Sequence, residues 1–139
     1  MFQFSRSSLE ALESVHPDLR AVAKLALSYS PLDFGVTEGA RTFERQANMF
    51  DESKKALRDP ASGKVVLTNT LQSKHLIQED GYAHAIDIVV WYGGKTTYRN
   101  RHYRPVIQAF IRAAIDLGVQ IEFGHLWRSL VDSCHIELA

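Results

Sequence analysis

A single cysteine, no excess of either charge and no long apolar run are the features this sequence withholds. Each absence closes off a class of answers. The chain has 139 residues, with Lys+Arg and Asp+Glu balanced at 16 each. One cysteine, Cys134, excludes an internal disulfide and a closed structural cage of cysteines around a metal, and it fits a reducing compartment. Zero net charge excludes nucleic-acid binding driven by bulk positive charge. No stretch approaches the roughly 18 apolar residues of a membrane span. The first ten residues, MFQFSRSSLE, hold no apolar core of a secretory signal, so synthesis in the cytoplasm is expected. No His-Glu-x-x-His helix occurs, which removes the thermolysin-type metal site.

What is present reads as one α+β domain spanning 1–139 and expected to be a monomer. Helical spacing of Leu9, Leu12, Leu19, Val22, Ala23 and Ala26 predicts a helix over 7–29, with Pro17 at a first-turn position or marking a break. Residues 34–38 predict a strand. Residues 42–57 predict a helix with Phe43, Ala47 and Phe50 on one face. Asp59-Pro60 and Ser62-Gly63 are turn chemistry within 58–72. Residues 84–91 predict a buried strand ended by Gly93-Gly94. Val106, Phe110, Ala113, Ala114 and Leu117 predict an amphipathic helix over 101–117, capped by Gly118. Short strands are expected at 119–123 and 134–138.

Asp87 lies between Ile86 and Ile88 in the most apolar run of the chain. A buried carboxylate needs a partner, either a metal or a cation such as arginine. His75 ends a polar loop, where a surface role is the commoner case, His84 is a rival to it, and His135 starts a predicted strand; two imidazoles and one carboxylate with an open fourth position would make a catalytic metal site. Asp132, three residues before His135, can bring a carboxylate near such a metal without ligating it. Glu137 shares a strand face with His135 and is either a rival proton acceptor or a partner of that histidine. Alternation turns Cys134 away from His135, so Cys134 reads as a small buried hydrophobe rather than a fourth ligand. The same alternation turns His84 away from Asp87. His16 and His102 read as surface residues, and His125 as lining a cleft. Arg99, Arg101 and Arg104, interleaved with Tyr98 and Tyr103, read as a solvated helix start or as a contact for an acidic glycan.

Three ordered blocks carry a family resemblance. Val36-Thr-Glu-Gly39-Ala-Arg41-Thr42 with Gln46 is similar to Gly-x-Arg-Thr…Gln. Ser73-Lys-His75 followed by Ala83-His-Ala-Ile-Asp87 is similar to Ser-x-His…Gly-x-Ala-x-Asp. Glu122-Phe-Gly124 through Trp127 to Asp132-Ser-Cys-His135-Ile-Glu137 is similar to Glu-Trp-Gly-x-x-Trp…Asp-x-x-His-x-Glu. The chain thus resembles the zinc D-Ala-D-Ala carboxypeptidase and L-alanyl-D-glutamate endopeptidase family, in particular its short phage endolysins.

The resemblance implies a hedgehog-like α+β scaffold whose small antiparallel sheet carries Zn2+ on His75, Asp87 and His135. It implies Asp132 as the catalytic carboxylate and Arg41 as the group facing the substrate or the developing oxyanion. Ser73, Gln46 and Trp127 follow as substrate-binding residues, with the task of Gln46 either structural or substrate-positioning. The expected substrate is the peptidoglycan stem peptide, cut at L-Ala–D-Glu, in a lysin made in the host cytoplasm and released by a holin. The D-Ala–D-Ala bond is the alternative within the family. A non-catalytic zinc-containing binding module on the same fold is the alternative from another class. The match departs from the pattern at three places. His75 and Asp87 are twelve apart rather than seven, which puts an insertion within 76–82. Ala83 replaces a glycine, and Cys134 replaces a proline. For Arg41, the competing reading is an exposed ion pair with Glu38 or Glu44.

Overall fold

The computed structural model describes residues 1–59, 61, 70–124 and 134–139. The chain opens with two helices, α1 (Arg6–Leu12) and α2 (Pro17–Tyr29), where the sequence predicts one over 7–29. Pro17 is the reason: it has no N–H to continue a helix and instead takes the first position of α2. His16 caps α2, its Nδ1 accepting from the Asp18 amide at 3.0 Å. The intervening segment is pinned to the chain before the central strand, with hydrogen bonds from His16 N to Ala83 O and from Ala83 N to Ser14 O, both 2.9 Å. The break also turns Leu9 outward; it is 45% exposed.

Strand β1 (Phe34–Glu38) leads into helix α3 (Phe43–Arg58), then a long connection to β2 (Ala85–Tyr92). Gly93 and Gly94, both at positive φ, form the two-residue turn into a short strand unforeseen in the sequence, β3 (Lys95–Thr97). Helix α4 (Asn100–Leu117) ends at Gly118, whose left-handed φ of 68° closes its C-terminus as the sequence predicts. Strands β4 (Ile121–Phe123) and β5 (His135–Leu138) complete the fold. The antiparallel sheet runs β1-β2-β5-β4, with β3 also paired to β2. The α+β expectation thus matches the structure.

Alternation along β2 sets the layout. Ile86, Ile88 and Val90 point into a core shared with Leu19, Val22 and Ala26 of α2 and Val106, Phe110 and Ala113 of α4. Asp87 therefore points to the opposite face. Edge strand β1 is closed by α1, where Ser8 Oγ accepts from Val36 N at 3.0 Å.

Helix α3 departs from its predicted apolar face. It buries Gln46, Ser53 and Ala56, while Phe43 is 63% exposed. The helix turns this way because Gln46 is needed inward as a hydrogen-bonding partner.

Candidate metal centre

Antiparallel pairing brings the C-terminus to the middle of the chain. Asp87 and His135 are direct partners across β2 and β5, and Glu38 of β1 faces Asp87 from the other side. His75 arrives from the connection before β2. Its amide donates to Ser73 Oγ at 3.2 Å, and its carbonyl accepts from Arg41 N at 2.7 Å. The spacing of twelve between His75 and Asp87 is taken up by a folded turn. Gln78 N donates to Tyr82 O and Gly81, at φ 86°, donates to Gln78 O, both at 2.9 Å. Asp80 fastens the turn to His84 Nε2 at 2.7 Å and lies 3.7 Å from His16 Nε2. His84 and His16 thus serve this turn and stand apart from Asp87.

The structure brings His75, Asp87 and His135 together. His75 Nε2 is 3.3 Å from His135 Nδ1, and each of these nitrogens is 3.4 Å from Asp87 Oδ1. Ligand atoms about 2.0–2.1 Å from one tetrahedral ion stand about 3.3–3.4 Å from each other. The triangle therefore has the edges that one small cation requires. Asp87 Oδ1 is buried and has no hydrogen-bond partner among the described residues. An orphaned carboxylate oxygen facing two imidazole nitrogens fits a metal and is costly without one.

The neighbouring hydrogen bonds aim both imidazoles. His75 Nδ1 lies 2.8 Å from Gly39 O, so it donates there and leaves Nε2 as the lone-pair nitrogen. His135 is turned the other way: Nε2 donates to Glu137 Oε1 at 2.8 Å and Nδ1 faces the centre. Glu137 Oε2 is held by Lys74 Nζ at 3.0 Å. Both Glu137 oxygens are thus engaged, which makes Glu137 a partner of His135 rather than a rival proton acceptor. Lys74 is a participant the sequence reading missed; its only signal was its place beside His75.

Charge follows from these contacts. Burial would raise the pKa of Asp87, but the facing imidazoles of His135 and His75 reverse this and hold it well below the usual carboxylate range. Burial would lower the pKa of His135, but the carboxylates of Asp87 and Glu137 outweigh it and push the pKa up to about 9. A cation entering the triangle takes the place of that imidazolium proton.

Arg41 makes the ion pair with Glu38 that the competing reading expects, but it is buried rather than exposed. Its Nε donates to Glu38 Oε1, its Nη1 donates to Gln46 Oε1 at 2.6 Å, and its Nη2 lies 3.6 Å from Asp87 Oδ2. Gln46 is fully buried and passes a second bond from Nε2 to Thr70 O at 2.7 Å. Of the two tasks expected for Gln46, the hydrogen bonds fit the structural one: it holds Arg41. Ser73 Oγ, expected beside substrate, braces the His75 amide. Asp132, Trp127 and His125 lie outside the described residues. Cys134 is half-buried and packs against the core, as a small hydrophobe does.

The sequence matches the family described as phage L-alanyl-D-glutamate peptidase over residues 1–138. The L-alanyl-D-glutamate peptidase of Escherichia phage T5 is 30% identical over 149 residues, which cover 99% of this chain and 98% of that protein. The crystal structure of the L-Ala D-Glu endopeptidase ChiX of Serratia marcescens is 33% identical and superposes with a TM-score of 0.81 over 99% of this chain and 90% of that one.

Proposed function

Because the chain belongs to the phage L-alanyl-D-glutamate peptidase family, we propose that it is a zinc-dependent endolysin cutting the L-alanyl–D-glutamate bond of peptidoglycan stem peptides. The observation that carries the zinc part of this reading is the triangle of His75 Nε2, Asp87 Oδ1 and His135 Nδ1, whose carboxylate oxygen has no hydrogen-bond partner among the described residues. Two imidazoles and one carboxylate are the donor set of a catalytic zinc with one position left for water or substrate. Bound there, zinc supplies a Lewis acid that makes water acidic and polarises the scissile carbonyl.

The chain's own residues do the rest. Gly39 O and Glu137 hold the two imidazoles in their ligating orientation. Asp132 takes a proton from the attacking water and returns it to the departing amine. Arg41, fixed by Glu38 and Gln46, presents Nη2 toward the negative charge that develops beside Asp87, or toward a carboxylate of the stem peptide. The D-Ala–D-Ala bond and a non-catalytic role have less support, because both reported relatives are named for the L-Ala–D-Glu bond. Among the described residues no helix is long and apolar enough to cross a membrane. Synthesis in the cytoplasm of an infected bacterium and holin-type release, as a monomer, complete the proposal.

Mass spectrometry of fragments released from purified peptidoglycan tests it. The expected product carries a new D-glutamate amine. Release should stop on chelation and return with zinc, and His75→Ala and His135→Ala should lose the bound metal. Fragments lacking only a terminal D-alanine would overturn the bond assignment. Undiminished release after complete metal removal would overturn the zinc reading.

A further inference from the structure

Charge is unevenly spread in this neutral chain. From Ile88 to Ile115 there is no acidic residue, while Lys95, Arg99, Arg101, Arg104 and Arg112 fall within that stretch. The first four sit on β3 and the opening turns of α4, and all four are exposed. Among the described residues none of their side chains is engaged by a carboxylate. Arg41, Arg45, Lys55 and Lys74 elsewhere all are. Between these cations stand two exposed aromatic rings, Tyr98 at 82% and Tyr92 at 55%. Tyr92 is stacked flat on His102, with ring centres 4.1 Å apart and planes 13° apart, and Thr97 Oγ1 fixes the imidazole at 2.7 Å from Nδ1. Burial, with Arg101 and Arg99 beside it, lowers the pKa of His102 and so favours its neutral imidazole. Tyr103, which the sequence would add to the patch, is buried in the core.

We propose that this end of the molecule, formed by the β2–β3 hairpin and the first turns of α4, is a second binding surface that holds a neighbouring stretch of peptidoglycan, its sugar rings together with the carboxylates of its uncut stem peptides, away from the metal centre. The proposal rests on the peptidoglycan reading above. Guanidinium and ammonium groups with no carboxylate partner among the described residues attract a polymer whose stem peptides bear repeated carboxylates. Flat aromatic faces offer the sugar rings a surface against which their C–H groups pack, while the tyrosine hydroxyls stay wet. Residues 92–104 expose no large aliphatic side chain, which disfavours insertion into a bilayer. The 16 acidic residues elsewhere disfavour wrapping a nucleic acid. Asp87 and Tyr92 are five residues apart on one strand, roughly 17 Å at about 3.3 Å per residue, and alternation sets them on opposite faces of β2. Reaching both places therefore takes an extended polymer that passes the end of the sheet, not a single stem peptide.

The test compares wild type, the double variant Arg99→Gln/Arg101→Gln, and Tyr98→Ala. Each is assayed on insoluble purified sacculi and on a soluble stem-peptide fragment, at about 50 and about 200 mM salt. Circular dichroism confirms that each variant is folded. The double variant should lose at least about tenfold in cleavage of sacculi at low salt and much of the wild-type salt dependence, with cleavage of the soluble fragment unchanged. Tyr98→Ala should lose activity on sacculi at both salts. Equal losses on both substrates, or no loss on sacculi, would overturn the proposal. So would co-sedimentation with phosphatidylglycerol vesicles, or retention on DNA, as strong as that with sacculi. Failure of wild type on the soluble fragment would instead count against the peptidase reading, independently of the surface.

Discussion

Glu137 Oε1 accepts a hydrogen bond from His135 Nε2 at 2.8 Å, and this bond decides which nitrogen of His135 faces Asp87. Without the carboxylate the imidazole is free to rotate or to protonate the wrong nitrogen. Glu137→Gln keeps the shape and removes the charge. Metal affinity should fall about 10–100-fold, the usual cost of losing a carboxylate behind a ligating histidine. Activity should return when excess zinc is supplied. Asp132→Asn should behave in the opposite way, keeping zinc and losing about 10²–10⁴-fold in kcat. Zinc competition against a chelator, run beside turnover assays, separates the two.

Gly39 is the other fixed point behind the site. A Cβ at this position would lie 2.1 Å from the backbone oxygen of Ala11 and 2.8 Å from a methyl group of Val15. Neither contact is with the end of a flexible side chain, so the strand connection itself would have to move. That movement would carry away the carbonyl that holds His75 Nδ1. Gly39→Ala should therefore cost about 1–3 kcal/mol of stability, the range for overpacked sites. It should also weaken metal binding. Denaturant unfolding and metal titration check the two effects together.

Strand and helix periodicity made most of the scaffold readable. The β1 segment, the apolar run through Asp87 and the α4 helix ending at Gly118 all coincide with their sequence patterns. The candidate ligands could be named through the three-block family resemblance; the residues alone marked only Asp87 in an apolar strand and His135 and Glu137 on one face. Three things stayed hidden or undecided for physical reasons. Pro17 offered the break as one of two readings, and the tertiary hydrogen bonds to Ala83 that fix it are not local to the helix. The burial of Gln46 instead of Phe43 depends on a partner, Arg41, outside the helix. The triangle itself depends on register, since Asp87 meets His135 only because β2 and β5 pair at that step.

Acid should weaken the fold partly through Glu38. Burial would raise its pKa, but hydrogen bonds from Arg41 and Arg45 and their charges more than offset this and lower it below 4.5. A carboxylate with a depressed folded pKa contributes stability above its unfolded value. That contribution is lost as pH falls through the folded one. Glu38→Gln should be less stable than wild type near pH 7 by about 1–3 kcal/mol, the cost of removing a charged hydrogen-bond partner. The gap should narrow as pH falls below the ordinary glutamate value of about 4.3 and close once pH has passed the lower folded value. Unfolding midpoints of both proteins across this range test it, and a gap that stays constant with pH would rule the mechanism out.

Arg41 gives the sharpest test of the site. Its Nε and Nη1 are committed to Glu38 and Gln46, and Nη2 lies 3.6 Å from Asp87 Oδ2. Lysine offers one ammonium and cannot reach all three positions in this fork geometry. Arg41→Lys should therefore lose some stability, because a buried oxygen of Gln46 or Glu38 is left without its donor, at about 1–3 kcal/mol. A purely structural arginine predicts only that loss, with kcat/KM nearly unchanged at temperatures where the variant is folded. An arginine that also steadies the substrate or the developing oxyanion predicts a further fall of at least about tenfold, or roughly 1.4 kcal/mol of transition-state stabilisation. Kinetics on a defined stem-peptide fragment, measured well below the variant's unfolding midpoint and with zinc content matched to wild type, separate these outcomes. Unchanged kcat/KM under those conditions would confine Arg41 to holding Glu38, Gln46 and Asp87 in register.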